Sequence, residues 1–173
     1  MDNVAIFFII FNLNGLSSGL DKIMVFGADF LIYLMIILMF ILGFKGGIKE
    51  KKVLLLALLA IPISIIIIKI IHLFFMEQRP FVQYHFSPLI FEKTDASFPS
   101  RHATMAAVIA FAYAYFKSKW ALLFVLLMLW IGTARIFVGV HFPIDIIGGF
   151  VVAIFSLIVA VKFKNFLKMR FFS

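Results

Sequence analysis

Residues 53–76 read VLLLALLAIPISIIIIKIIHLFFM, an apolar stretch in which Lys69 is the only Lys, Arg, Asp or Glu. A helix needs about 20 apolar residues to cross a bilayer. Four further stretches meet or approach this length: residues 24–44, 100–116, 120–140 and 143–161. A shorter apolar run at residues 4–11 precedes a turn-rich segment and favours a helix lying on the membrane surface. The sequence predicts an all-α integral membrane protein, a bundle of about five transmembrane helices with a short N-terminal interfacial helix.

The composition agrees with a membrane protein. Apolar residues make up 65% of the 173 residues and charged residues 14%, whereas a soluble domain is about half apolar and a quarter charged. The length suits a single membrane-embedded domain over residues 1–173. The chain has no cysteine, which excludes a disulfide scaffold. A net charge of +8 often indicates nucleic-acid binding, but so apolar a surface belongs in lipid, so we expect membrane lipids and no nucleic acid as partners.

The basic residues predict the orientation of the chain, because loops rich in Lys and Arg stay on the cytoplasmic side. Ten of the 16 basic residues lie in one loop, one turn and the C-terminal tail: Lys45, Lys49, Lys51, Lys52, Lys117, Lys119, Lys162, Lys164, Lys168 and Arg170. With five spans, this places the loop at residues 77–99 and the turn around His141 on the outer side. We therefore expect a multi-pass protein with these two segments facing outward.

The outer side concentrates ionisable residues in or beside the spans, where such groups are costly and usually functional. They comprise two histidines, one carboxylate and three arginines: His102, His141, Asp145, Arg79, Arg101 and Arg135. Arginines bind phosphate through bidentate hydrogen bonds, and free N–H groups at the helix start near Ser100 favour an anion. One histidine could attack phosphorus while the other protonates the leaving oxygen. The set predicts phosphoryl transfer.

The spacing around His141 adds a positioning group. With Pro143 as the first helical residue, Asp145 stands at the third position of the helix, from where its carboxylate can reach back to His141 and fix the imidazole tautomer. The cluster has no cysteine and a single carboxylate, too few ligands for a strong divalent-metal site. We expect no metal and no cofactor.

These segments together resemble the signature of the phosphatidic acid phosphatase type 2 superfamily. That signature is Lys, six residues, Arg-Pro; then Pro-Ser-X-His; then Arg, five residues, His, three residues, Asp. The matching residues are Arg79-Pro80, Pro99-Ser100-Arg101-His102, Arg135, His141 and Asp145. The resemblance implies His141 as the nucleophile, which forms a phosphohistidine, oriented by Asp145. It implies His102 as the acid for the leaving group, with the phosphate held by Arg79, Ser100, Arg101 and Arg135.

The chain departs from the signature at its lysine, which falls on His72. Lys69 lies three residues earlier, on the same helical face, and its long side chain could extend toward the site. Either His72 replaces the family lysine or Lys69 reaches in, so both are candidate phosphate-binding residues.

Within the superfamily, two segments are similar to bacterial undecaprenyl-diphosphate phosphatases of the bacitracin-resistance type. They are TDASFPSRHA at residues 94–103 and VHFPID at residues 140–145. That resemblance implies dephosphorylation of undecaprenyl diphosphate outside the bacterial plasma membrane, which recycles the carrier lipid for peptidoglycan synthesis. Two alternatives stay open. One is a phosphatase for another lipid phosphate, such as phosphatidylglycerophosphate or phosphatidate. The other is a small anion channel or transporter that uses the basic cluster for selectivity.

Overall fold

A computed structural model describes residues 2–166, with side chains to residue 163. The basic residues Lys168 and Arg170 lie outside the described part. Within it, the chain forms eight helices: α1 (Asn3–Phe11), α2 (Ser18–Asp29), α3 (Leu31–Lys45), α4 (Ile48–Phe74), α5 (Pro80–Gln83), α6 (Arg101–Tyr115), α7 (Ala121–Phe137) and α8 (Pro143–Phe166). The predicted all-α class is confirmed.

Two helices are long and apolar enough to cross a membrane on their own. They are α4, with 27 residues, and the 21-residue stretch Pro143–Phe163 of α8. Helices α2 and α3 together pass the same test as a bent pair, and α7 is a shorter apolar helix. The five predicted spans therefore correspond to α2 with α3, α4, α6, α7 and α8, although α6 and α7 are each shorter than a full crossing.

The predicted span at residues 24–44 is present as two helices, and it begins earlier, at Ser18. The chain breaks at Phe30, and α2 and α3 meet at an angle of 54°. The break allows α2 to lean against α7, where the backbone of Gly27 lies so close to Trp130 that an added Cβ would stand 2.5 Å from the indole Nε1. The Arg135 guanidinium also donates to the Ala28 carbonyl at 3.3 Å. Hydropathy alone does not encode these contacts.

Helix α6 lies at the centre of the bundle and packs against α4, α7 and α8. Most of its buried residues are small, among them Ala103, Ala106, Ala107 and Ala110, so neighbouring helices approach closely. Its 15 residues span about 22 Å, less than the roughly 30 Å of the hydrocarbon layer. At the start of α6, Ser100 and Ala103 are fully buried inside the bundle, whereas the Arg101 side chain is exposed.

The predicted N-terminal helix is present as α1, and it packs on the start of α8. Phe7 is fully buried, and its ring centroid lies 5.2 Å from that of Phe142. The side-chain oxygen of Asn3 accepts a hydrogen bond from the Ile144 N–H at 3.0 Å. Helix α1 thus covers the turn that carries His141.

Candidate active site

The turn between α7 and α8 positions the first histidine. Helix α8 begins at Pro143, as predicted, and Asp145 Oδ2 accepts the Phe142 N–H at 2.8 Å. The same carboxylate oxygen lies 3.2 Å from Nδ1 of His141, and both side chains are buried. If Nδ1 carries the proton and donates to Asp145, the lone pair of Nε2 faces the arginines.

Ser97 completes this contact from the loop before α6. Its hydroxyl donates to Asp145 Oδ2 at 2.5 Å and lies 3.4 Å from His141 Nδ1. The serine itself is fully buried. Sequence reasoning assigned Ser97 no role, since its distance from Asp145 along the chain follows no helical or strand period. The one available signal was its position just before the Pro-Ser-X-His segment.

Arg79 links the histidine to the outer loop. The residue is 2% exposed, and its Nη1 donates to the Val140 carbonyl at 3.2 Å and lies 3.2 Å from His141 Nε2. Its Nε and Nη2 donate to Asp95 Oδ1 at 3.3 and 2.9 Å. Because arginine is always charged, the bond to Nε2 indicates an unprotonated ring nitrogen at that position.

Two further arginines surround the same space. Arg135, 1% exposed, is ion-paired with Glu92, whose other oxygen lies 3.9 Å from Nη2 of Arg79. Arg101 is about half exposed and donates to Asp95 Oδ2 at 2.5 Å.

The expectation of a single carboxylate in this cluster is therefore wrong, since Glu92 and Asp95 add two. The reason is electrostatic: buried arginines need counter-ions, and loop residues supply them here. That need was a usable signal in the sequence, because the predicted outer loop at residues 77–99 holds three acids that could pair with the arginines: Glu77, Glu92 and Asp95. Among residues 2–163, no group of three or more His, Asp or Glu side chains is arranged to hold a metal ion.

Burial and the neighbouring arginines set the protonation states of Glu92, Asp95 and His141. Burial by itself raises the pKa of Glu92, but Arg135 and Arg79 outweigh it and hold the pKa below its usual value. Burial likewise raises the pKa of Asp95, and its bonds to Arg79 and Arg101 reverse the effect. Burial, Arg135 and Arg79 all lower the pKa of His141 well below 6.5. At neutral pH both carboxylates are therefore ionised and His141 is neutral.

The start of α6 carries the Pro-Ser-X-His segment. Ser100 is fully buried at the N-cap, and its hydroxyl accepts the Ala103 N–H at 3.5 Å, so this side chain serves the helix start. His102 is partly buried in the first turn of α6 and interacts electrostatically with Arg135 and Glu92. The structure thus brings both histidines close to Arg79, Arg101 and Arg135, which together form the arginine cluster.

His72 and Lys69, the two candidates for the signature lysine, lie in different surroundings. His72 is partly buried, interacts electrostatically with Arg101, Asp95 and Arg79, and lines a cavity of about 210 Å³ together with Asp95. Its Nε2 is buried with no hydrogen-bond partner among the described residues. Lys69 is exposed and makes no ion pair or hydrogen bond within the described part of the chain. The structure places His72, and not Lys69, beside the arginines.

Residues 53–169 match the PAP2 superfamily model. The chain belongs to the PAP2 superfamily. The predicted family is confirmed, and this PAP2 protein is 34% identical over 166 residues to undecaprenyl-diphosphatase BcrC of Bacillus subtilis (strain 168), a match that covers 96% of this chain and 86% of the relative.

Two solved structures share the fold of this PAP2 protein. The crystal structure of Aquifex aeolicus LpxE superposes with a TM-score of 0.73 and 26% identity, covering 92% of this chain and 94% of the other. A PAP2-type phosphatidylglycerolphosphate phosphatase from Bacillus subtilis gives a TM-score of 0.56 at 22% identity, covering 96% of each chain. The family, the relatives and the apolar helices make this chain a membrane lipid phosphatase of the PAP2 type.

Proposed function

We propose that this PAP2 protein removes the terminal phosphate of undecaprenyl diphosphate at the outer face of the bacterial plasma membrane. The observation that carries the proposal is the buried His141, with Nδ1 beside Asp145 and Nε2 beside Arg79. The 34% identity to an undecaprenyl-diphosphatase over almost the whole chain supports the choice of substrate. The products are undecaprenyl phosphate and inorganic phosphate.

In the first step, Nε2 of His141 attacks the terminal phosphorus and forms a P–N bond. The bond from phosphorus to the bridging oxygen breaks, and His102 gives its proton to the departing lipid phosphate. Arg79 and Arg135 stabilise the charge on the transferring group, as preorganised cations do in phosphoryl transfer. Asp145 stabilises the positive ring through Nδ1–H.

In the second step, water hydrolyses the phosphohistidine. His102, now neutral, takes a proton from the water as its oxygen attacks phosphorus, and the P–N bond breaks to return neutral His141. The charge that a metal ion supplies in other phosphatases comes here from guanidinium groups, so the proposed reaction is metal-independent. We assign phosphate binding to Arg79, Arg101, Arg135 and the start of α6, which Ser100 caps. His72 takes the place of the signature lysine.

The proposed orientation rests on the distribution of lysines. The end of the bundle opposite His141 carries a cavity of about 550 Å³ lined by Lys45, Lys49 and Lys119. Lys49 Nζ also donates to the Lys117 carbonyl at 3.0 Å, so the lysines of one loop and one turn gather at that end. A cytoplasmic position for this end leaves the arginine cluster facing outward.

The test is phosphate release from undecaprenyl diphosphate by the purified protein in detergent. His141→Ala and His102→Ala should each abolish release, and EDTA should leave the wild-type rate unchanged. His85→Asn is the matched control, because His85 is an exposed loop histidine at a backbone φ of 54° that asparagine tolerates. Full activity in either alanine variant would overturn the assigned roles, and loss of activity with EDTA would overturn the metal-free mechanism.

A substrate panel separates this proposal from its alternatives. Undecaprenyl diphosphate should give a higher kcat/KM than phosphatidylglycerophosphate or phosphatidate at equal detergent concentration. A preference for either phospholipid would reassign the substrate while leaving the chemistry in place. No phosphate release from any lipid, together with phosphate flux in proteoliposomes, would favour an anion channel or transporter.

A further inference from the structure

The loop residue Glu92 lies in the space that the proposed mechanism gives to the phosphate. Its carboxylate is ion-paired with Arg135 and stands 3.9 Å from Nη2 of Arg79. It also interacts electrostatically with both His102 and His141. The side chain is 15% exposed, so most of it is inside the protein. Two arginines assigned to phosphate thus face one carboxylate, which also interacts with both proposed catalytic histidines.

Asp95 is a second carboxylate that is paired with two arginines, and it is more exposed than Glu92. Its Oδ1 accepts from Arg79 at 2.9 Å, and its Oδ2 accepts from Arg101 at 2.5 Å. Two carboxylates therefore face three guanidinium groups, which leaves about one positive charge uncompensated before any ligand arrives. A phosphoryl ligand gains most of its ion pairs by replacing a carboxylate, not by meeting a free arginine.

The segment that carries these acids lies outside the helices and is joined to the bundle by backbone hydrogen bonds at its two ends. Its backbone is tied to the bundle where the Leu89 N–H donates to the Val138 carbonyl at 3.1 Å, and where the Ser97 N–H donates to the Glu77 carbonyl at 2.9 Å. Between these points, residues 90–96 form no helix and make no backbone–backbone hydrogen bond within the described part of the chain. Glu92 lies near the middle of this segment.

We propose that Glu92 is an internal competitor for phosphate, a carboxylate that a phosphoryl ligand must replace beside Arg135 and Arg79. The reacting phosphoryl group has to lie next to His141, so the substrate displaces Glu92 before it reacts. This inference rests on the proposed function, and it implies that returning Glu92 helps to expel the phosphate product.

The first measurement is the affinity of the detergent-solubilised protein for inorganic phosphate, determined by isothermal titration calorimetry. Glu92→Gln keeps the size of the side chain and removes its charge. The variant should bind phosphate about tenfold more tightly than the wild type, because the ligand no longer competes with a buried charge. Equal or weaker binding by the variant would overturn the proposal, since the carboxylate would then hold Arg135 in place without competing.

The second measurement is product inhibition, taken as the Ki of inorganic phosphate against hydrolysis of undecaprenyl diphosphate. Glu92→Gln should lower this Ki by about tenfold, because phosphate no longer competes with the carboxylate for Arg135. A merely structural role would lower kcat/KM and leave the Ki unchanged or raise it, which would also overturn the proposal.

Asp2→Asn is the matched control for both measurements. Asp2 is an exposed acid at the start of α1 whose side chain makes no cap hydrogen bond and is in none of the ion pairs of the described residues. Its variant should behave as the wild type. If Glu92→Gln does not fold, Glu92→Asp tests the same idea, because a shorter acid that withdraws from Arg135 should also tighten phosphate binding. Failure of the wild type to hydrolyse undecaprenyl diphosphate would reject the proposed function, whereas the phosphate titration would still decide the role of Glu92.

Discussion

Buried charge governs the chemistry at the scale of single residues. Arg79 and Arg135 are almost fully buried, a placement that costs several kcal/mol unless each cation is paired. Glu92 and Asp95 provide those pairs, and the remaining positive field acts on His141. The same arginines that would bind phosphate therefore also help to keep His141 unprotonated.

The pH dependence of the reaction follows from this field. His141 must be neutral to attack phosphorus, so kcat/KM rises as pH increases through its pKa. Burial, Arg135 and Arg79 hold that pKa well below 6.5, and the acid limb of the pH profile should therefore lie below pH 6.5. The measurement is kcat/KM for undecaprenyl diphosphate over the acid range. An acid limb centred at or above pH 6.5 would show that His141 is not held neutral in this way.

Ser97 should act as a positioning residue. Its hydroxyl bonds to Asp145 at 2.5 Å, and removing a hydrogen bond to a charged group costs about 1.5–3 kcal/mol, roughly 10- to 100-fold in rate if the alignment of His141 is lost. Ser97→Ala should therefore lower kcat by that order with little change in KM. Ser97→Thr keeps the hydroxyl and should restore most of the rate.

The matched control for this change is Ser87→Ala, which alters an exposed serine of the same loop. It should leave kcat and the unfolding midpoint unchanged. If Ser97→Thr were as slow as Ser97→Ala, the hydroxyl would not be the group that matters, and Ser97 would have a packing role.

The site residues that the sequence predicts lie on or beside regular helices, whereas those it does not predict lie on an irregular loop. His141 and Asp145 stand four residues apart on one helix start, so their proximity follows from helical geometry. Glu92 and Ser97 come from an irregular loop, and no local period relates them to α7 or α8. Their positions depend on tertiary packing, which a sequence pattern encodes only through the general need of buried arginines for counter-ions.

At the scale of elements, the close packing of α6 on α8 sets where the histidines lie. Gly149 of α8 faces the first turn of α6, and a Cβ there would stand 2.9 Å from Thr104 Oγ1 and 3.0 Å from the Ser100 carbonyl oxygen. The bare backbone at this position allows the two helix starts, with His102 on one and Asp145 on the other, to share a site.

Gly149→Ala should therefore push α6 away from α8. Overpacking of this kind costs about 1–3 kcal/mol, which should lower the thermal unfolding midpoint and the rate of phosphate release together. Gly19→Ala is the control, because the nearest atom to its added Cβ is Ser17 Oγ at 3.7 Å, an ordinary contact. An unchanged midpoint and rate in Gly149→Ala would show that the helices adjust without cost.

The bent pair α2–α3 shows the limit of hydropathy at this scale. The predicted first span, residues 24–44, is apolar apart from Asp29, so hydropathy predicts a single span with no sign of a bend. At the break, Trp130 and Arg135 of α7 lie against the last turn of α2 at Gly27 and Ala28. The break therefore belongs to the same packing that places Arg135 in the site.

At the scale of the whole molecule, the basic residues divide between two ends of the bundle. Lysines gather around the cavity lined by Lys45, Lys49 and Lys119, and arginines gather around His141. Lysine is a strongly hydrated point charge suited to a membrane surface, whereas the planar guanidinium suits bidentate binding of phosphate. The division predicts that the two ends lie on opposite sides of the membrane, with the lysine end in the cytoplasm.

Single-cysteine labelling tests this orientation cleanly, because the chain contains no cysteine of its own. Ser87→Cys and Lys51→Cys each replace an exposed residue, the first in the outer loop and the second at the lysine end. A membrane-impermeant maleimide should label Ser87→Cys in intact cells and Lys51→Cys only after permeabilisation, while the cysteine-free parent stays unlabelled. The reverse pattern would place the arginine cluster in the cytoplasm, and the substrate would then have to be a lipid phosphate of the inner leaflet.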